Sequence, residues 1–213
     1  MAKGGRGGRR GGATGGIKPG DIISTKSLVS EREREQELVD ETLTVFRDVL
    51  DEYGSQVSDI QLAELKANAN ALAYYDAEGN IAINQAYFNK NGMDVAYKAS
   101  VESGFHPSNG NKTALQAVVA HELGHKLTAD VAVKLGKNGW TDFDSVATDI
   151  VKEARKQTKH KGVVQMASKI SGYAKHSNAE AIAEAFSDVY CNGKKAHSES
   201  IAIVNVMNKY LKN

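Results

Sequence analysis

Five consecutive residues, His121-Glu122-Leu123-Gly124-His125, carry the most specific chemistry in the chain. On a helix, residues four apart stand on one face, one turn above the other. Both imidazoles can then reach a single metal ion, and imidazole nitrogen is a good zinc donor at about 2.0–2.1 Å. Glu122 is turned by about 100° from His121 and flanks such a metal without ligating it. From there its carboxylate can take a proton from water, which zinc acidifies to a pKa of about 7. The same pattern also arises as two exposed helix histidines beside an unrelated Glu, so context decides. Here Val118, Val119, Leu123 and Leu127 supply an apolar face, with Ala120 and Gly124 between the ligand positions. A mid-helix glycine costs about 1 kcal/mol relative to alanine, which points to close packing or clearance at the site.

Catalytic zinc takes a third protein ligand. Residues 129–135 lack the His-x-x-Gly-x-x-His continuation that would supply a histidine. Acids further on are the alternative. Glu180, Glu184 and Asp188 are spaced by four in an alanine-rich segment and share one helix face. Such a stripe repels itself unless neutralised, and a metal with its histidines would relieve that. Without a metal it reads as a solvated helix face. Of the other histidines, His106, His160, His176 and His197 read as surface residues, with His176 placed to line a cleft.

The elements that must hold these groups are mostly helical. Ser30 with Glu33 has capping-box spacing before a helix over 30–53, with Leu38, Leu43, Phe46 and Leu50 as its apolar stripe. Gly54 is placed to stop it. A short helix is expected over 60–67. Two strands, 71–75 and 81–84, flank a turn at Glu78-Gly79-Asn80. His106-Pro107-Ser108-Asn109-Gly110 is loop chemistry. Thr113 can cap the helix of the His-Glu-Leu-Gly-His segment, expected to run to Thr128. Further helices are expected over 142–156, 163–171, 179–190 and 199–211, with Ser198 capping the last. The fold class is therefore α+β with helices predominating.

The segment Tyr173 to Phe186, Y-A-K-H-S-N-A-E-A-I-A-E-A-F, resembles the second zinc motif of the anthrax lethal factor metallopeptidase family. In that family a Tyr precedes the ligand Glu by seven residues and Ala-Glu-x-Phe follows it. Similar motif pairs occur in domains of phage and prophage head-associated proteins. The resemblance covers roughly residues 113–128 and 173–190. It implies a zincin-like metallopeptidase domain over 21–213, with zinc (Zn2+) held by His121, His125 and Glu180. It places Glu184 behind a ligand histidine, Glu122 as general base, and Tyr173 on the oxyanion or the leaving amine. It also implies a protein or peptide substrate, paired in extended form with a strand beside the active-site helix. A second frame is open: Glu184-Ala185-Phe186-Ser187-Asp188 resembles the Glu-x-x-Ser-Asp motif of thermolysin-like enzymes and would make Glu184 the ligand, with Asp188 behind it. The first frame is preferred because Tyr173, Asn178 and Phe186 fall into place only there.

Composition sets the limits. With 213 residues, a single cysteine (Cys191) and a net charge of +1, an internal disulfide framework is excluded, and the whole chain is not a polycation. One cysteine fits a cytoplasmic or otherwise reducing setting, and the phage resemblance adds a virion-associated one. No apolar run approaches the roughly 20 residues of a membrane span, and no apolar stretch follows the basic start as a secretory signal requires. Residues 1–20 are glycine-rich, with Lys3, Arg6, Arg9, Arg10 and Lys18 and no acid. They read as a disordered tail, either a solvated arm or a weak electrostatic contact with nucleic acid. The rival to an enzyme is a phage-associated structural or nucleic-acid-binding protein whose metal site only braces the fold.

Overall fold

The computed structural model describes residues 22–23, 36–64 and 71–212. The tail of residues 1–20 and the Ser30–Glu33 cap lie outside them. Along the chain come β1 (Ile22–Ile23), α1 (Gln36–Tyr53), β2 (Ile60–Ala63), β3 (Ala73–Tyr75) and β4 (Ile81–Asn84). There follow α2 (Lys90–Glu102), α3 (Ala114–Lys134), α4 (Phe143–Lys156), α5 (Val163–Ala167), α6 (Asn178–Asn192) and α7 (Ser198–Leu211). Helices dominate over a small sheet, which is an α+β arrangement. Among the described residues no helix is long and apolar enough to cross a membrane.

The sheet has the order β1-β2-β4-β3. β3 and β4 form the expected antiparallel hairpin, with Tyr75 opposite Ile81. Its turn is built by Asp76, whose Oδ1 accepts from the backbone N–H groups of Glu78 (3.0 Å) and Asn80 (2.8 Å). Gly79 takes φ +84°, a conformation that side chains resist. The short helix expected over 60–67 is corrected: residues 60–63 form β2. It pairs in parallel with β4, Ile60 beside Ile81 and Ala63 beside Asn84. Leu62 and Ala63 are buried there, so tertiary pairing overrides the local preference.

α1 ends where expected, with Gly54 at φ +65° and its N–H on the Leu50 carbonyl. Its buried face differs from the expected stripe. Leu38, Val39, Thr42, Val45 and Val49 are buried, whereas Leu43 and Phe46 are partly covered and Leu50 is exposed. The branched residues one step round the helix fit the core. α2 was not anticipated. Asn89 caps it by accepting from the N–H of Gly92, and Met93 and Tyr97, four apart, form its buried side.

α3 is the central helix and is buried on nearly every side. Thr113 and Gln116 form a reciprocal capping box at its start, and Thr113 Oγ1 also donates to Glu41 of α1 at 2.8 Å. It runs six residues past the expected Thr128, to Lys134. α3 packs against α6 at the glycine: a Cβ on Gly124 would stand 2.7 Å from the Ala183 Cα. Small residues on both helices permit that approach. Expected helix 163–171 is shorter, ending at Ala167; the chain turns there and brings Ser171 inward. α7 begins at Ser198, but its N-cap is His197, without a side-chain cap bond; Ser198 Oγ donates to Glu199 instead.

Candidate metal centre

α3 presents His121 and His125, and the first turn of α6 presents Glu180. Their ligand atoms lie within 4.8 Å of one another, and all three residues are buried, a group that could hold a metal ion. Glu180 Oε2 stands 3.2 Å from His121 Nε2 and 3.6 Å from His125 Nε2. Ser177 caps α6, its Oγ accepting from the Glu180 N–H at 3.0 Å. The carboxylate is thereby held in the first turn, where the helix dipole favours negative charge. Ser177, three residues before Glu180, was a cap signal readable in the sequence.

The acidic stripe of α6 is not a solvated face. Glu180, Glu184 and Asp188 are all buried, and each meets different partners. Glu184 Oε1 lies 2.8 Å from His121 Nδ1, the ring nitrogen turned away from Glu180. The same oxygen lies 2.9 Å from His106 Nδ1, and Ser171 Oγ donates to Oε2 at 2.7 Å. Asp188 faces away from the histidine pair. Its Oδ2 accepts from Ser200 Oγ (2.6 Å) and the His197 N–H (2.9 Å), and lies 2.8 Å from His197 Nδ1. Asp188 therefore has no contact with a motif histidine of the kind the thermolysin-like frame assigns it.

The charge states follow from these contacts. Burial by itself would raise the Glu184 carboxyl, but its hydrogen bonds with His106 and His121 outweigh that and hold it at about 2. Burial opposes charge on His121 too, yet Glu180 and Glu184 on either side raise it well above its ordinary value. Glu180 is held well below its ordinary value, because the two histidines outweigh its burial. Glu122 differs: it is raised, chiefly by burial.

Several buried polar atoms here lack a hydrogen bond among the described residues: Glu122 Oε2 and both ring nitrogens of His125. Buried polar atoms of this kind are uncommon and call for a partner such as an ion or water. Two imidazoles and one carboxylate are a donor set that zinc accepts. The residues therefore fit a metal ion.

Tyr173 lies over His121, ring centroids 5.8 Å apart and planes within 19°. Burial, then the nearby carboxylates of Glu180, Glu122 and Glu184, push its phenol well above the ordinary range. It is a proton-bearing donor at neutral pH. Phe105 packs beside Tyr173, and its carbonyl accepts the Tyr173 N–H at 2.9 Å. On the other side His125 meets Phe143, which meets Trp140.

Of the remaining histidines, His176 and His197 are exposed as expected, whereas His106 and His160 are largely covered and need correction. His106 is a mostly covered partner of Glu184 and not a surface residue. His160 pairs with Glu199 at 2.7 Å, and His197, half-exposed, with Asp188. His176 is exposed, with its ring edge-on to Phe105 and tilted against Tyr173. Nothing local marks His106: it sits 15 residues before His121, and only the turn after α2 brings it in. No family model, curated protein or solved structure matches this chain.

Proposed function

We propose that the chain is a zinc-dependent endopeptidase with a zincin-like fold, acting on protein or peptide substrates. One observation carries this reading. Glu180 reaches the Nε2 atoms of both histidines, at 3.2 and 3.6 Å, while Glu184 holds the far nitrogen of His121 at 2.8 Å. That is a ligand set with its orienting carboxylate. Among the described residues the group holds three ligands and no fourth, and three protein ligands with an open position favour catalysis over a bracing role.

His121, His125 and Glu180 would hold the ion. The chemistry a bound zinc supplies is Lewis acidity, which brings the pKa of water to about 7 and polarises a carbonyl oxygen. Glu122, next to His121 and raised by burial, is suited to take a proton from the attacking water and pass it to the leaving nitrogen. Tyr173 keeps its proton and can donate to the oxygen that becomes negative. Glu184, held ionised, keeps the His121 ring in place.

Native mass spectrometry of the purified chain beside Glu180→Ala and Glu184→Ala tests this. The expected result is one zinc per wild-type chain, lost in Glu180→Ala and retained more weakly in Glu184→Ala. Loss in Glu184→Ala alone would move the ligand to Glu184. No zinc in wild type after reconstitution would remove the basis for the enzyme.

A further inference from the structure

Glu184 serves two imidazoles at once. Its Oε1 lies 2.8 Å from His121 Nδ1 and 2.9 Å from His106 Nδ1, and its Oε2 accepts from Ser171. An ionised carboxylate only accepts hydrogen bonds, so both Nδ1 atoms carry their hydrogen. For His121 that leaves Nε2 as the atom facing Glu180. A carboxylate held by one donor turns easily about its last torsion, which is broad and roughly two-fold. Apart from the His121 ring that it positions, Glu184 is held by His106 on Oε1 and Ser171 on Oε2, and the two together remove that freedom.

His106 is itself held. Its ring stacks on Tyr97, centroids 5.7 Å apart and planes within 9°. The Tyr97 hydroxyl donates to the Pro107 carbonyl at 3.1 Å and closes the turn that follows α2. The carbonyls of Gly104 and Phe105 accept the N–H groups of Gly172 (2.7 Å) and Tyr173 (2.9 Å), which follow Ser171. The segments carrying His106 and Ser171 are thus tied together around Glu184. No protein group among the described residues hydrogen-bonds His106 Nε2, and that atom is not among the buried unpaired ones.

We propose that His106 is a positioning residue of the metal centre: by holding Oε1 of Glu184 it fixes the ring of His121 and sets metal affinity from outside the ligand set. This rests on the metal-binding reading above. The two nitrogens of His106 can be separated by substitution. Asparagine places its amide nitrogen near Nδ1 and keeps a donor for Glu184. Glutamine reaches to the position of Nε2 and gives up the Nδ1 donor.

The test is zinc affinity of the full chain by competition with a chromophoric chelator, for wild type, His106→Ala, His106→Gln and His106→Asn. Absorption spectra of the cobalt(II)-loaded forms accompany it. Loss of an outer partner of a metal ligand typically weakens binding 10- to 100-fold. That loss is expected for His106→Ala and His106→Gln, with shifted cobalt bands. His106→Asn is expected within about threefold of wild type, with the wild-type spectrum. Should His106→Ala fail to fold, the Gln and Asn pair carries the comparison alone. Wild-type affinity in His106→Gln, or equal loss in Gln and Asn, would overturn the inference and leave the zinc site standing. A wild type that binds no zinc would overturn the metal reading and this inference with it.

Discussion

Gly124 touches Ala183 so closely that a Cβ added to the glycine would stand 2.7 Å from the Ala183 Cα and 3.2 Å from the Phe186 Cβ. A backbone atom cannot swing aside as a long side chain can. The contact lies between His121 and His125 on one helix, and between Glu180 and Glu184 on the other. It sets the separation at which two imidazoles meet one carboxylate.

Gly124→Ala weighs two opposed effects. Helix propensity favours alanine by about 1 kcal/mol. Forcing a methyl into a filled contact costs about 1–3 kcal/mol. The expected outcome is a lower urea midpoint, together with weaker zinc binding because α3 and α6 part. A more stable variant with unchanged zinc affinity would show that the close approach is not needed for the site.

Much of this arrangement was legible because it is local. The spacing of His121 and His125, the Thr113 cap, the Glu78-Gly79-Asn80 turn and the Gly54 stop all act within a few residues. The spacing of Glu180 and Glu184 placed both on one helix face, and both do face α3. What was not legible depends on partners distant in sequence. Residues 60–63 are a strand only because β4 lies alongside. His106 meets Glu184 across 78 residues. Without a metal the acidic stripe reads as solvated, because the groups that meet it come from four other segments: the motif histidines, the turn after α2, Ser171, and His197 with Ser200.

Glu122→Gln separates binding from turnover. The amide cannot accept the proton of the attacking water, yet it replaces a group outside the ligand set. Zinc stoichiometry should stay at one per chain while hydrolysis of an unfolded protein substrate falls by about 10²–10⁴, the range of general-base catalysis. Proteolysis at the wild-type rate would exclude Glu122 from that role.

Tyr173→Phe tests the proposed donation of its hydroxyl to the oxygen that becomes negative in peptide hydrolysis. The ring stacked on His121 is kept and only the hydroxyl is lost. Removing one donor of this kind typically lowers kcat by about 10²–10³. The loss should fall on kcat and leave KM and zinc affinity near wild type. A rise in KM with kcat unchanged would make the hydroxyl a substrate-binding group and not an oxyanion donor.

Cys191 gives a check that does not depend on any metal. It is buried near the end of α6, and burial pushes its thiol up to about 12. At pH 7.5 a free thiol of pKa about 8.5 is about one-tenth thiolate, against roughly one part in thirty thousand at pKa 12. The greater nucleophilicity of a more basic thiolate offsets about half of that on a logarithmic scale. Alkylation of the native chain should therefore run about fiftyfold slower than in denaturant. Stability has the matching sign: above about pH 8.5 the unfolded chain ionises this thiol and the folded chain does not, so stability falls as pH rises from there toward about 12. Cys191→Ala should flatten that alkaline decline in urea melts taken from pH 8 to 10. A native thiol that reacts as fast as the denatured one would mean that the end of α6 opens readily, and with it the helix that carries Glu180 and Glu184.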